Sequence, residues 1–272
     1  MFMNKEKSKL SWNRKNNNDL NEIKEFWDSR AEEFYKISQD DELGLIDYLQ
    51  EKDFIDKSYS VLDIGCGTGK YILKMAEKVK YVQGLDISPE MIKYAKKNIK
   101  AADLKNTGLK VLSWQEIDVR KESLENKFDL VFASMTPALN SEESLVKMVR
   151  ASRKFCFMSG FAYRNDYIKD RLFNDITGTG SVIRKYDIIS DSFNTLWNMG
   201  MYPEIVYKDV EWTKEFSVQK AVDMYTIEIC RYADDTQKAR KNIKDYMEKI
   251  SSNGIVKDYI KAKIAWMTWK IC

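Results

Sequence analysis

The apolar positions of this chain fall into two rhythms. Across residues 20–37, Ile23, Phe26, Trp27, Ala31 and Phe34 recur at helical spacing and make one apolar face, which predicts an amphipathic helix. A second helix is predicted over 42–50, with Leu43, Ile46 and Leu49 inward. From residue 60 the pattern becomes short apolar runs, most of them followed by an amphipathic stretch. Strands are predicted at 60–64, 81–85, 110–114, 128–133 and 154–159, and helices at 70–79, 89–101 and 141–151. Ser88 as N-cap and Pro89 at the first helical position mark one of these starts. Beyond Gly160 the rhythm loosens. A helix over 165–176 is expected to end in the Thr-Gly-Thr-Gly turn at 177–180. A helix at 191–199, a strand at 204–211 and two polar helices at 218–232 and 235–251 follow. The closing run 262–271 is apolar on both faces, as in an interior strand.

Alternating strands and helices predict a mostly parallel sheet covered by helices on both faces. The polar, aperiodic stretch 1–19 reads as a disordered tail, and 20–272 as one α/β domain. Within it, 20–54 form an N-terminal helical cap, 55–160 the core, and 161–272 the substrate-side elements and final strands.

Composition narrows the chemistry. There is no histidine among the 272 residues, which removes imidazole as general base, as metal ligand and as partner of a serine or cysteine nucleophile. The four cysteines, Cys66, Cys156, Cys230 and Cys272, lie far apart and form neither a disulfide framework nor a zinc pattern. Lys and Arg number 45 against 42 Asp and Glu, so net charge gives no argument for nucleic acid, although one sequence leaves a local basic face open. The Lys-rich tail reads as solvated chain. No apolar run approaches a membrane span and no signal-like segment opens the chain, so a cytoplasmic protein is expected.

The strongest local signal is Val61-Leu62-Asp63-Ile64-Gly65-Cys66-Gly67-Thr68-Gly69, a strand running into three alternating glycines and a helix. Glycine allows the sharp turn and lets a ligand approach the main chain. Lys70 stands where the dinucleotide fingerprint needs its third glycine, and no Gly-Lys-Ser/Thr closes a phosphate loop. Asp86, in Gly84-Leu85-Asp86-Ile87-Ser88, ends the next strand and suits ribose hydroxyls. Asp118 follows the third predicted strand, and Phe128-Asp129-Leu130-Val131-Phe132-Ala133-Ser134 makes the fourth. Tyr163 and Arg164 lie just beyond the fifth, where they face either the acceptor or solvent.

As an ordered set, these motifs resemble the class I S-adenosylmethionine-dependent methyltransferase superfamily over roughly 63–160. The resemblance implies a Rossmann-like seven-stranded, mostly parallel sheet whose last strand is antiparallel and lies between strands five and six, with a helical insertion before it. It implies S-adenosyl-L-methionine as cofactor and S-adenosyl-L-homocysteine as product. Gly65, Cys66, Gly67 and Gly69 would wrap the methionine part, and Asp63 would orient the loop and the ammonium group. Asp86 would hold the ribose, with Ile87 against the adenine. Asp118 and Val119 would meet the adenine edge, and Ser134 would lie beside the methyl donor. The leading helix matches the family's W-x-x-x-A-x-x-Y at Trp27 and Ala31, but Phe34 takes the Tyr position and Tyr35 follows. The leading helix, residues 161–183 and the helices of 218–251 would roof the pocket. The expected function is methylation of a small molecule; an RNA or protein methyltransferase, or a cofactor-binding regulator without turnover, are the alternatives. An NAD-type oxidoreductase is disfavoured by the missing glycine. The sequence identifies neither a general base nor a metal site.

Overall fold

A computed structural model describes residues 19–36, 41, 43–178 and 187–271. The expected tail, apart from Asp19, and the second half of the 177–180 turn lie outside the described residues. In chain order the elements are α1 (Leu20–Lys36), α2 (Leu45–Glu51), β1 (Ser60–Ile64), α3 (Lys70–Ala76), β2 (Tyr81–Asp86), α4 (Pro89–Ala101), β3 (Thr107–Val111), β4 (Phe128–Ser134) and α5 (Glu142–Ala151). They continue with β5 (Ser152–Asp166), α6 (Tyr167–Thr177), α7 (Asp187–Asn198), β6 (Glu204–Ser217), α8 (Val218–Ile229), a 3-10 turn (Cys230–Tyr232), α9 (Thr236–Ile250) and β7 (Ile255–Lys270). The seven strands form one sheet in the order β3-β2-β1-β4-β5-β7-β6. The first five pair in parallel, with Val61 opposite Val82 on one side and Leu130 on the other. The last strand is antiparallel between the fifth and sixth. This is the Rossmann-like layout.

The chain divides into two compact units, one drawn from 1–160, 187–206 and 265–272, the other from 161–186 and 207–264. In the first, the central strands are apolar on both faces because helices cover both. Val61, Leu62, Ile64, Leu130, Val131 and Phe132 are fully buried, and Phe132 stacks on Phe157 at 4.9 Å. The helix starts are fixed locally. The Ser88 hydroxyl accepts from the Met91 amide at 3.0 Å, and Ser141 and Ser144 make a reciprocal capping box on α5. At the strands' opposite end, Asp129 accepts from the Ser60 amide (2.8 Å) and the Arg153 guanidinium (2.8 and 3.0 Å).

The second unit is built differently. β7 alternates exposed and buried residues over 255–262, and β6 alternates exposed and half-buried ones along nearly its whole length, as antiparallel strands with one wet face do. The inner face packs with α6, α8 and α9 around Leu172, Tyr225, Ile229, Ile243, Met247 and Val256. The outer face carries cross-strand ion pairs, Lys257–Glu215 (2.8 Å), Lys261–Glu211 (2.9 Å) and Lys263–Asp209 (2.5 Å).

Several boundaries move. β5 and β6 run seven and six residues past their predicted ends, and β7 begins seven residues before its predicted start; the added parts of β6 and β7 continue an alternating burial pattern. The helix expected from residue 165 therefore begins at Tyr167. β3 lies three residues earlier than predicted. Gly108 and Leu109 pair with Gln83 and Gly84, whereas Trp114 has left the sheet and buries itself against α5, its Nε1 donating to the Ser144 carbonyl at 3.0 Å. The helices of 218–251 bury their apolar faces in the second unit's core.

Candidate active site

Four adjacent parallel strands end at one edge of the sheet and open a cleft of about 340 Å³, all of whose lining residues belong to the first unit. Its floor is the glycine loop after β1. Gly65, Gly67 and Gly69 take φ of 69°, 54° and 87° in the left-handed region, where a side chain is strained. Gly65 is constrained further: a Cβ there would lie 2.1 Å from Thr136 Oγ1. A Cβ on Gly67 would meet nothing within 4 Å, so the main chain is bare at that point of the cradle.

Two acids sit beneath this loop. Asp86, at the end of β2, accepts from the Gly67 amide at 2.8 Å through one oxygen and from the Ser88 amide at 2.9 Å through the other, tying the two loops together. Burial raises its pKa against the pull of those two amides. Asp63, near the end of β1, is 2% exposed and lines the cleft. Burial and the nearby Asp86 push its carboxyl up to about 8, and no hydrogen bond from the described residues offsets them. It is a buried acid on the lining of the cleft. Cys66 is buried, and its thiol is held well above its ordinary value by burial and both carboxylates, which keeps it protonated and unreactive.

The far wall is the turn after β4. Ser134 Oγ lies 2.9 Å from Ser159 Oγ, and the Met135 amide donates to Ser159 Oγ at 3.1 Å. Met135 adopts a positive φ of 52°, and Thr136 Oγ1 accepts from the Ala138 amide at 3.2 Å. Tyr71, in the first turn of α3, packs edge-on against Phe132 and presents its hydroxyl beside Ser134. Burial pushes its phenol up to about 12, with the Ser134 hydroxyl acting the other way. α1 closes the cleft with Ile23, Trp27 and Phe34. It is pinned where Asp28 accepts from the Ser88 hydroxyl at 2.5 Å and the Glu90 amide at 3.3 Å.

Of the residues expected from sequence, Asp63, Gly65, Cys66, Gly67, Asp86, Ile87 and Ser134 come together around the cleft. Gly69 lies behind it, where a Cβ would press on Ala95 at 3.3 Å. Tyr35 lies outside, stacked on Tyr94 at 4.6 Å, while Phe34 faces in. Asp118 and Val119 also lie outside. Asp118 accepts from the Arg120 and Lys121 amides of its own turn, and both residues border a separate polar groove with Arg120, Glu142 and Lys147. With β3 three residues earlier, the positions that reach the cleft from that side are Leu112, Trp114 and Gln115. Tyr163 is half exposed, and Arg164 is engaged by Asp166 at 2.6 and 2.8 Å and by the rings of Phe161 and Trp212. Sequence reasoning missed Tyr71 and Thr136. Tyr71 stands two residues past the last glycine, in the first helical turn, and that spacing could have flagged it. Among the described residues no cluster of acids and cysteines could hold a metal ion.

Residues 55–174 match a family described as methyltransferase domain. An uncharacterized protein of Rickettsia prowazekii is 33% identical over 140 residues, 50% of this chain and 52% of the relative. A malonyl-[acyl-carrier protein] O-methyltransferase of Ilyobacter polytropus is 35% identical over 82 residues, 29% of this chain and 28% of the relative. This chain thus spans about half the length of the first relative and about a quarter of the second. Among solved structures, the magnesium protoporphyrin IX methyltransferase of Synechocystis PCC 6803, with bound S-adenosylhomocysteine, has the same fold. The TM-score is 0.53 at 12% identity, covering 94% of this chain and 100% of that one.

Proposed function

We propose, from the premise that this chain belongs to the class I S-adenosylmethionine-dependent methyltransferases, that it transfers a methyl group from S-adenosylmethionine to a small-molecule acceptor. The observation that carries the cofactor assignment is Asp63, a buried carboxyl on the cleft lining that no hydrogen-bond donor among the described residues meets. An ammonium group beside it would restore its charge. The main chain at Gly67, open where a Cβ would stand, would hold the amino-acid portion of the cofactor, and Asp86 would accept from ribose hydroxyls on its remaining lone pairs. Ile87, Leu112 and Trp114 offer apolar surface for an adenine ring.

When bound, the cofactor supplies a methyl carbon on a positively charged sulfur. The acceptor's lone pair forms the new bond to that carbon while the carbon–sulfur pair stays with sulfur, leaving S-adenosylhomocysteine. A proton on the acceptor, if there is one, passes to solvent. The chain's own contribution is to hold the reactants in line and to exclude water with Trp27, Phe34 and Trp114. The missing histidine is no obstacle to that reaction.

A small acceptor is favoured by the charge of the surroundings. Among the described residues Lys70 is the one cationic side chain lining the cleft, and the lysines on the outer face of the β6–β7 ribbon are already paired with acids. A phosphate backbone needs unpaired cations. Among the described residues no helix is long and apolar enough to cross a membrane, and a cytoplasmic location fits this reading. Calorimetric titration with S-adenosylmethionine, with Asp86→Ala alongside, tests the assignment. Saturable binding that the variant weakens strongly supports it, and absence of binding at millimolar ligand in folded protein refutes it. Screening acceptors with a labelled methyl donor follows.

A further inference from the structure

The β4 end of the cleft holds a run of hydroxyls that the cofactor assignment leaves unused. The Met135 amide donates to Ser159 Oγ, and Ser159 Oγ and Ser134 Oγ share a hydrogen bond of 2.9 Å. Beyond them stands the Tyr71 hydroxyl. Ser159 is buried at 5% exposure, and its hydroxyl and that of Ser134 share a hydrogen bond that either can donate. Tyr71 lines the cleft beside this pair, so its phenolic proton is available to a group bound there. The phenol, pushed up by burial, stays neutral at physiological pH and acts as a donor rather than a base.

We infer that Tyr71, backed by Ser134 and Ser159, is the hydrogen-bond donor of an acceptor subsite for neutral or cationic small molecules that carry an oxygen acceptor beside the methylated atom. The inference rests on the cofactor reading above. A donor on the nucleophile's own lone pair would deactivate it, so Tyr71 holds a neighbouring carbonyl or hydroxyl oxygen instead. The charge preference follows from the lining: Asp63 and Asp86 stand against the single Lys70, and the rest is Trp27, Phe34, Trp114, Met135 and similar apolar surface. An anionic acceptor would meet two buried acids and one cation.

Three ring-matched probes separate these terms. Benzamide, benzamidine and benzoate are titrated by calorimetry into the protein saturated with S-adenosylhomocysteine, using wild type, Tyr71→Phe and Ser134→Ala. Benzamide and benzamidine are expected to bind at least about 10-fold more tightly than benzoate. Tyr71→Phe should weaken benzamide about 5- to 10-fold and leave benzamidine, which has no carbonyl oxygen, within about 2-fold. Ser134→Ala should give a smaller loss in the same direction. S-adenosylhomocysteine affinity should be unchanged in Tyr71→Phe, and matched melting temperatures show that the variants fold. Tightest binding by benzoate, or benzamide binding indifferent to Tyr71→Phe, overturns the subsite while leaving the cofactor reading intact. Weakened S-adenosylhomocysteine binding in Tyr71→Phe overturns it too, by placing the hydroxyl on the cofactor. Failure of the wild type to bind S-adenosylhomocysteine removes both.

Discussion

If Asp63 receives the cofactor's ammonium group, cofactor binding must be linked to proton release. The carboxyl is pushed up to about 8 in the free protein by burial and by Asp86, and it must be ionised to hold a cation. At about pH 7 roughly one molecule in ten carries the ionised form, and at about pH 6 roughly one in a hundred. Ionising it before binding therefore costs about 1.4 kcal/mol at about pH 7 and twice that at about pH 6. The dissociation constant for S-adenosylhomocysteine should fall about 10-fold between about pH 6 and 7, fall less steeply to about pH 8, and then level off. Calorimetry in buffers of different ionisation enthalpy at about pH 7 should count nearly one proton released per ligand bound. Asp63→Asn should bind weakly with a flat pH profile. A wild-type profile flat from about pH 6 to 8, with no proton released, would refute the ammonium role of Asp63. Stability obeys the same linkage. The folded-state pKa lies above the unfolded one, so the unfolded chain ionises first as pH rises from about 4. This group's contribution is most favourable below that value and is lost progressively up to about pH 8, and ligand should recover part of the loss.

Other changes separate the site from its scaffold. Gly65→Ala places a Cβ 2.1 Å from Thr136 Oγ1 at a positive φ and should weaken S-adenosylhomocysteine binding at least about 10-fold; adding Thr136→Ala should recover only part, since backbone strain of about 1 kcal/mol remains. Asp118→Ala should leave the dissociation constant within about 2-fold of wild type, whereas Trp114→Ala should weaken binding about 10-fold or more, because only Trp114 reaches the cleft. Asp129→Ala should destabilise the fold by about 2 kcal/mol in chemical denaturation and leave affinity unchanged. Although burial opposes it, the Arg153, Ser60 and Lys154 contacts hold the Asp129 carboxyl well below its ordinary value. Its contribution is therefore present at neutral pH and lost progressively as pH falls from about 4 toward the much lower folded-state pKa, and the stabilities of wild type and variant should approach one another over that fall.

Much of the first unit was legible because its signals are local. The apolar runs of β1, β2 and β4, the N-cap Ser88 before Pro89 and the three-glycine loop each depend on a few neighbouring residues. Asp63 and Asp86 could be placed because a strand end and a turn fix them. The errors came where an apolar run has two explanations. Leu112 and Trp114, just past the end of β3, are apolar because they cover the cleft and α5 rather than because they lie in the sheet, and Asp118 beyond them borders a separate groove. Likewise Tyr35 and Phe34 exchange roles through one step of helical phase, which turns the chosen side chain about 100° away.

The sequence alone determined the strand–helix alternation, the glycine cradle and the two acids at its rim, since each follows from backbone conformation and short-range polarity. Tertiary structure decided what depends on partners distant in the chain. It set the lengths of β5, β6 and β7, whose polar–apolar alternation means nothing until α6, α8 and α9 supply a second core. It packed Thr136 against Gly65, aligned Tyr71 with Ser134 and Ser159, and raised Asp63 by enclosing it. Burial and long-range contact set those properties, and a linear pattern of residue types does not encode them directly.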